Sequence, residues 1–600
     1  MKESTISINK HQYLSDIGFH FKSNTIFAKT VTGAGATTQE IKEDRDSIIV
    51  MPNAVAVTGK AKDEKHKDDN LMPVLRGVTS EDVAEYLQET RKQQKHIKII
   101  TTPESFPKVK RAFQMLGLIM HSMCFLLFDE CHKAVEDCDY RTTITLPFDD
   151  FFLFQEKAMV SATPIVPPDP RFKSGEGFEV QVLKPEYDYA VDVAVWHTDN
   201  ATEAIRSCIA EKENGEERVF VIFANTTMGI MHLIGKLGIK DESSVFCAED
   251  SVRNLKDGGV ENAYSDWSEA RMRKYNFFTC RYYAAFDMIL PYKPEVVFFS
   301  DAVNIPHTML NPDTDVVQAL GRMRNGFSSC THIVVVNPEL PLTDRPHVVK
   351  RIDAFREAYR IIKNQADMSD SEVKPAFREV ADMVAKKAFI DGNEAIDYFL
   401  RENYIEDELL KSDYRDIKSL IRRYENNDHY RDVRVEEKTY GLIDAPLKKK
   451  LTDAKTEKET RMLLVSILDT IQEDHSEIAE NYRKELREID EFIVDAYETI
   501  GSKEIKRHRF SAKKIREAVI LKKYREGVTS VAAISMINNS FAVGKKYRSK
   551  DIKQELNRIF NLLGIKYPGI VTGHTISNFF QVKDTKIKGD RAYLLLSSRM

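Results

Sequence analysis

The stretch Thr30–Thr38, TVTGAGATT, has the frame of a phosphate-binding loop without its central cation. In such a loop glycine-rich backbone amides cradle the phosphates, a lysine reaches the β- and γ-phosphates, and a following Ser or Thr hydroxyl binds Mg2+. Thr32, Gly33, Ala34, Gly35, Thr37 and Thr38 fit that frame, and Ala36 stands at the lysine position. A Gly-x-Gly run alone is usually just a turn, so its meaning depends on what surrounds it.

Around the loop, DSIIVMP, IKIITT, CFLLFDE and AMVSAT are apolar runs of strand length that end in turn or polar residues. Parallel strands buried on both faces read this way, with functional loops at their C-terminal ends. The pattern restarts at RVFVIFA and continues through SVFCAED, NFFTCRYY, EVVFFSD and THIVVVN. From Pro346 the apolar spacing becomes helical and charge density rises. The expected organisation is two α/β units, 1–185 and 186–345, a helical region 346–500, and a small basic α+β segment 501–600.

Composition is that of an ordinary water-soluble chain: 600 residues, 42% hydrophobic, net charge −5. No run is long and apolar enough to span a membrane, and the first residues carry no apolar leader core, so a cytoplasmic protein is expected. The seven cysteines form no C-x-x-C pair and read as reduced thiols, with no zinc site. The net charge hides an asymmetry. From Gly501 onward there are about 22 Lys/Arg against about 7 Asp/Glu, a cationic segment on an acidic chain that points to nucleic acid.

The strand ends carry the chemistry. After CFLLF come Asp129 and Glu130, two adjacent carboxylates that are costly in a loop unless a cation meets them. Asp129 with Thr37 would hold Mg2+, and Glu130 would polarise an attacking water. The serial order TGAGATT, IIVMPN, TTPES, DECH, SATP, FTCRYYAAFD and QALGRMR resembles superfamily-two helicases, the DEAD/DECH-box-like motor proteins with two RecA-like domains. The resemblance covers residues 25–345, and its joint order is far more specific than any single motif.

The resemblance implies ATP as the nucleotide, with Ser161, Ala162 and Thr163 coupling nucleotide state to strand binding. It implies that Gln318, Gly321 and Arg322 face ATP from the second domain, with Arg322 as arginine finger. The family's second arginine position is Asn325 here, and Arg324 lies one residue earlier, so either Arg322 or Arg324 could meet the γ-phosphate. Ala285-Phe286-Asp287 replaces the usual glycine before that motif's aspartate. Loss of the loop lysine should cost on the order of 10²–10⁵ in rate. Three explanations stand: Lys29 or Lys60 substitutes for it, the site is relict, or Ala36 was introduced to trap the motor.

Thr101, Thr102, Ser105 and Thr279 lie where this family meets nucleic-acid phosphates, although any one of them also reads as strand or turn chemistry. In the basic segment, FAVGKKYRSKDIKQELNRIFNLLGI reads as a turn and an amphipathic helix with Ile552, Leu556, Ile559 and Phe560 on its apolar face. Lys545, Lys546, Arg548 and Lys550 crowd its start, and KGD joins two alternating runs into a hairpin. The module is loosely similar to winged-helix domains of phage and mobile-element replication proteins. The sequence therefore predicts a helicase-like protein of phage or mobile-element type with ATP and Mg2+, binding nucleic acid, DNA ahead of RNA, and replication proteins as further partners. The rival is a non-catalytic scaffold that inherited the core. A methyl- or sugar-transferring Rossmann enzyme is excluded because no acidic residue follows a GxGxxG at ribose distance.

Overall fold

The protein is described by a computed structural model over residues 2–173, 177–284, 286–391, 394–440, 454, 456–472, 477–528, 530–565, 567 and 570–598. The four apolar runs of the first segment become β3 (Ser47–Val50), β5 (Lys98–Thr101), β6 (Phe125–Asp129) and β7 (Glu156–Ser161), and four strands not read from sequence join them: β1 (Glu3–Ile8), β2 (Thr25–Ala28), β4 (Leu71–Val74) and β8 (Glu179–Pro185). They pair in the order β1-β8-β2-β7-β6-β3-β5-β4, all parallel. Alternation along β6 explains the near-continuous hydrophobicity. Leu126 and Phe128 enter one core with Ile26, Val50 and Met159, while Phe125 and Leu127 enter the other with Phe27, Ile49 and Val160.

The second sheet repeats the plan with β9 (Val191–Thr198), β10 (Phe220–Phe223), β11 (Ser243–Phe246), β12 (Ala263–Tyr264), β13 (Tyr275–Phe278), β14 (Glu295–Asp301), β15 (Ser329–Val335) and β16 (Tyr430–Lys438). Its order is β12-β11-β13-β10-β14-β15-β9-β16, again all parallel. These are two tandem RecA-like α/β domains, as the apolar runs indicate. The outermost strand was not legible, because Tyr430–Lys438 has mostly polar residues on an exposed edge.

That strand shifts the boundaries. The chain divides into compact units Met1–Tyr440 and Gly441–Met600, inside the span 346–500 expected as one helical region. The physical reason is aromatic burial. Tyr414, Tyr424 and Tyr430 lie in the core of the second sheet, and the Tyr414 hydroxyl donates to Leu310 O at 2.9 Å. The helix Tyr398–Asp413 also reaches the first domain, where Phe399 packs on Phe148 at 4.3 Å between ring centroids.

In the second unit, helices Glu457–Thr470, Glu477–Arg507 and Ala512–Val528 share a core that includes Leu464, Leu468, Ile493 and Ile515. The basic module follows as helix Val531–Ser540, β17 (Lys546–Arg548), helix Ser549–Leu562, a 3-10 turn Gly573–Asn578, β18 (Phe580–Ile587) and β19 (Asp590–Ser598). The antiparallel order β17-β19-β18 is the winged-helix-like arrangement expected from the hairpin. Lys588 and Gly589, with φ of 51° and 91°, make the tight turn between β18 and β19, where two left-handed residues match strand twist. Ile552, Leu556, Ile559 and Phe560 are buried as the helical spacing requires.

The boundary is testable by truncation. A chain ending at Tyr440 should unfold in denaturant with the midpoint of the first unit of the intact protein. One ending at Arg345 should lose at least about 5 kcal/mol, since each buried aromatic removed costs about 3–5 kcal/mol.

Candidate nucleotide site

Strand order brings the motifs together. β2, β7 and β6 are neighbours, with Ala28 opposite Ser161 and Asp129 opposite Val160, so the loops after all three open at one sheet edge. Lys29 N–H donates to Ser161 O at 2.8 Å, fixing the start of the phosphate loop against β7. Gly33 and Gly35 take φ of 77° and 86°, conformations that side chains resist. A Cβ at Gly33 would also press on the Arg324 guanidinium, which would have to shift.

Thr37 is buried and its hydroxyl donates to Asp129 Oδ2 at 2.5 Å. The two supply hard oxygen donors on one side of the cleft and fit Mg2+, which keeps few protein ligands and fills its shell with water and phosphate oxygens. Among the described residues no group of three or more His, Cys, Asp or Glu could form an all-protein metal cage.

Glu130 follows in the left-handed region, φ 48°, a strained conformation for glutamate that the surroundings must hold. Its Oε1 accepts from Lys29 Nζ at 2.9 Å, and Lys29 lies 3.7 Å from Asp129 Oδ1. Burial by itself would raise the Glu130 pKa; the Lys29 ammonium, with Arg322 behind it, outweighs this and holds the carboxyl at about 2. Burial likewise works against the Lys29 ammonium, but Glu130 and Asp129 raise it above its ordinary value. Lys60, the other lysine near the loop, donates to Thr38 Oγ1 at 3.2 Å. Lys29 is thus the cation lodged between the two carboxylates, while Lys60 braces the far side of the loop.

His132 Nδ1 meets Ser161 Oγ at 2.7 Å, and that hydroxyl accepts from Thr163 N–H at 3.0 Å. From the second domain, Gln318 Nε2 donates to Thr163 Oγ1 at 3.1 Å and to Glu130 Oε2 at 3.4 Å. Arg322 donates through Nη2 to Gln318 Oε1 at 3.1 Å; burial lowers its pKa to about 10, which leaves it cationic at neutral pH. Arg324 takes a different side. Its Nη1 donates to Thr32 Oγ1 at 3.1 Å, while Nε donates to Asp287 Oδ1 at 2.8 Å. Arg322 therefore faces Glu130, and Arg324 faces the phosphate loop. Ala285 lies outside the described residues.

The hydroxyls expected at a nucleic-acid surface are all buried: Thr101, Thr102, Ser105 and Thr279. Thr101 Oγ1 donates to Val74 O at 3.1 Å and Thr279 Oγ1 to Phe246 O at 3.4 Å, so these two serve the strand ends. Lys545, Lys546 and Lys550 are exposed on the basic module, and Arg548 lies 3.8 Å from Asp590. One neighbour of the loop was not singled out from sequence: Tyr13 lies beside Gly35, at 3.5 Å from a Cβ placed there, and its only signal is an aromatic in a polar stretch. Asp287, read from sequence as its motif's aspartate, anchors Arg324.

The sequence matches no protein-family model and no curated protein. Among solved structures, the chain is similar to Mycobacterium smegmatis helicase Lhr bound to ssDNA and AMP-PNP, at 12% identity over 61% of this chain and 51% of that chain, TM-score 0.35. It is similar to S. cerevisiae Dbp5 bound to RNA and ADP BeF3, at 13% identity over 62% of this chain and 96% of that one, TM-score 0.33. The ATP-dependent Type ISP restriction-modification enzyme LlaBIII bound to DNA matches at 13% identity over 93% of this chain and 42% of that one, TM-score 0.33. The chain thus spans about half the length of the Lhr chain. No described helix is long and apolar enough to cross a membrane.

The buried ion pair gives a stability prediction. Lys29→Met should destabilise the first unit by about 3–5 kcal/mol, because it strands a carboxylate, and less when combined with Glu130→Gln. Denaturant unfolding measures both. The folded Glu130 pKa lies below its ordinary value, so this contribution is present above the ordinary carboxylate range and is lost as pH falls toward about 2. In Lys29→Met, where that ammonium no longer offsets burial, the acid-side loss should shrink or reverse.

Proposed function

We propose that this protein is a helicase-like, nucleic-acid-binding protein that takes ATP with Mg2+ in the cleft between its two RecA-like domains. The observation that carries the reading is convergence. Thr37, Asp129, Glu130, Gln318 and Arg322 come from both domains into one buried cluster, although Glu130 and Gln318 are 188 positions apart. Charges converge in a buried cleft only at a cost, and a triphosphate with its metal would repay it.

In this reading Mg2+, held by Thr37 and Asp129, would neutralise charge on the phosphates. Glu130 accepts the proton of a water in line with the γ-phosphate, and its low pKa keeps it an acceptor at neutral pH. Arg324 meets the phosphates from the loop side, and Arg322 holds Gln318 against Glu130 and Thr163. Lys29 would compensate in part for Ala36: its ammonium neutralises Asp129 and Glu130, and it is the cation that would be available to phosphate oxygens with a metal held at Asp129. Hydrolysis is slow relative to a loop with lysine.

The winged-helix-like module, with Lys545, Lys546 and Lys550 exposed, supports a nucleic-acid backbone contact, DNA ahead of RNA, and a replication or mobile-element setting. Ser161, Ala162 and Thr163 couple the cleft to that partner through Gln318. Thr101, Thr102, Ser105 and Thr279 contribute by shaping the loops at the strand ends. A second reading, a scaffold with no turnover, is favoured by one observation: the methyl of Ala36 is buried where a phosphate-binding cation belongs.

Nucleic-acid-stimulated ATPase separates these readings. The protein should turn over ATP slowly, Ala36→Lys should accelerate it by about 10²-fold or more, and Glu130→Gln should abolish it in both backgrounds. No turnover with Ala36→Lys would exclude a motor. Replacing Lys545, Lys546 and Lys550 by alanine should weaken binding to all sequences alike and reduce the salt slope of log K by about 1 per lysine, read by fluorescence anisotropy.

A further inference from the structure

A segment outside all the nucleotide-facing motifs, Arg423–Tyr430, passes beside the entrance of the phosphate loop. His429 Nε2 lies 2.8 Å from the carbonyl oxygen of Thr30, and its Nδ1 lies 2.8 Å from Asn427 Oδ1. The Asn427 amide is oriented by its other partners. Its Nδ2 donates to Asp313 Oδ1 at 2.8 Å, and Oδ1 accepts from the His429 backbone N–H at 2.9 Å. Carbonyl and amide oxygens only accept, so both ring nitrogens face acceptors, and both contacts are hydrogen bonds only when the imidazole carries two protons.

Asp428 and Asp313 favour that cation, Tyr189 packs edge-on at 5.3 Å, and Arg423 is held by Asp313 and Asp413. Burial opposes it and lowers the ring's pKa, against the raising effect of the Thr30 carbonyl, so the doubly bonded form gains population toward acid pH.

What His429 holds is itself strained. Thr30 has φ 51°, a conformation that a β-branched residue adopts only when its surroundings impose it. It is followed by a tight Val31 N–H to Lys29 O contact of 2.5 Å, and it separates Lys29 from the loop glycines. We propose that His429 is a positioning residue for the phosphate loop: its Nε2–H holds the Thr30 carbonyl, and with it the left-handed turn that aims Lys29 and Gly33, from 399 positions away in the chain. The contact stands on geometry alone, and only its consequence for nucleotide rests on the function proposed above.

Hydrogen exchange over residues 29–36 of the nucleotide-free protein tests the contact, and binding of a fluorescent ATP analogue with Mg2+ tests the consequence. The variants are His429→Ala and His429→Gln, each with Ala36 and with Ala36→Lys. Glutamine keeps an N–H donor near the reach of Nε2 and does not titrate. The loss of one charge-assisted hydrogen bond predicts about tenfold faster exchange in His429→Ala, with recovery in His429→Gln. After correction for intrinsic rates, wild-type protection should grow as pH falls below the ordinary imidazole value of about 6.5, while that of His429→Gln stays flat. In the Ala36→Lys background, His429→Ala should weaken analogue binding by about five- to tenfold. Unchanged exchange in His429→Ala overturns the inference, as does a His429→Gln protein that fails to recover while its melting midpoint equals that of wild type. If Ala36→Lys binds no nucleotide, the function proposed above fails, and the exchange data still decide the role of His429.

Discussion

The adjacency of β2, β7 and β6 in a parallel sheet is the constraint on which the site depends. A parallel sheet delivers the C-terminal ends of neighbouring strands to one edge, whatever their separation in sequence. Here that rule places Lys29, Asp129, Glu130 and Ser161 within reach of one another. Because the strands are buried on both faces, none can slip by one residue without moving its whole apolar set into the wrong core. The carboxylates are therefore placed by packing, and the cation between them offsets the cost of their burial.

That order of causes explains why the cleft tolerates Ala36. The loop's shape comes from Gly33 and Gly35, from the short Thr37–Asp129 contact, and from Arg324 filling the space over Gly33. None of these needs the missing lysine. The cation that meets Asp129 and Glu130 is Lys29, which enters from the end of β2 and not from the loop. Two buried carboxylates with no cation would cost several kcal/mol, so the pair is a condition for this arrangement of the cleft.

The accessory segment has a double attachment. Its aromatic residues complete the core of the second sheet, and its polar residues bridge Asp313 of the second domain and Thr30 of the first. Geometry at the nucleotide loop is thereby linked to a part of the chain that carries no recognisable motif. The exposed lysines of the basic module are, by contrast, local. They are legible as charge, with their helix and hairpin, because neither depends on distant contacts.

The sequence by itself determined the two α/β repeats, the identity of the strands that end in DECH and SAT, and the apolar face Ile552–Phe560, because period-2 and helical spacing are local properties. It determined the chemical types at the site, including the absent lysine. Only the tertiary structure decided which cation meets Glu130, that Arg322 and Arg324 serve different sides of the cleft, and that the second sheet closes with β16. It also decided that Thr101 and Thr279 spend their hydroxyls on strand ends. The physical reason is a shared one. Most of these choices are made by groups meeting across 27 to 292 positions of chain, and no local spacing encodes such a meeting.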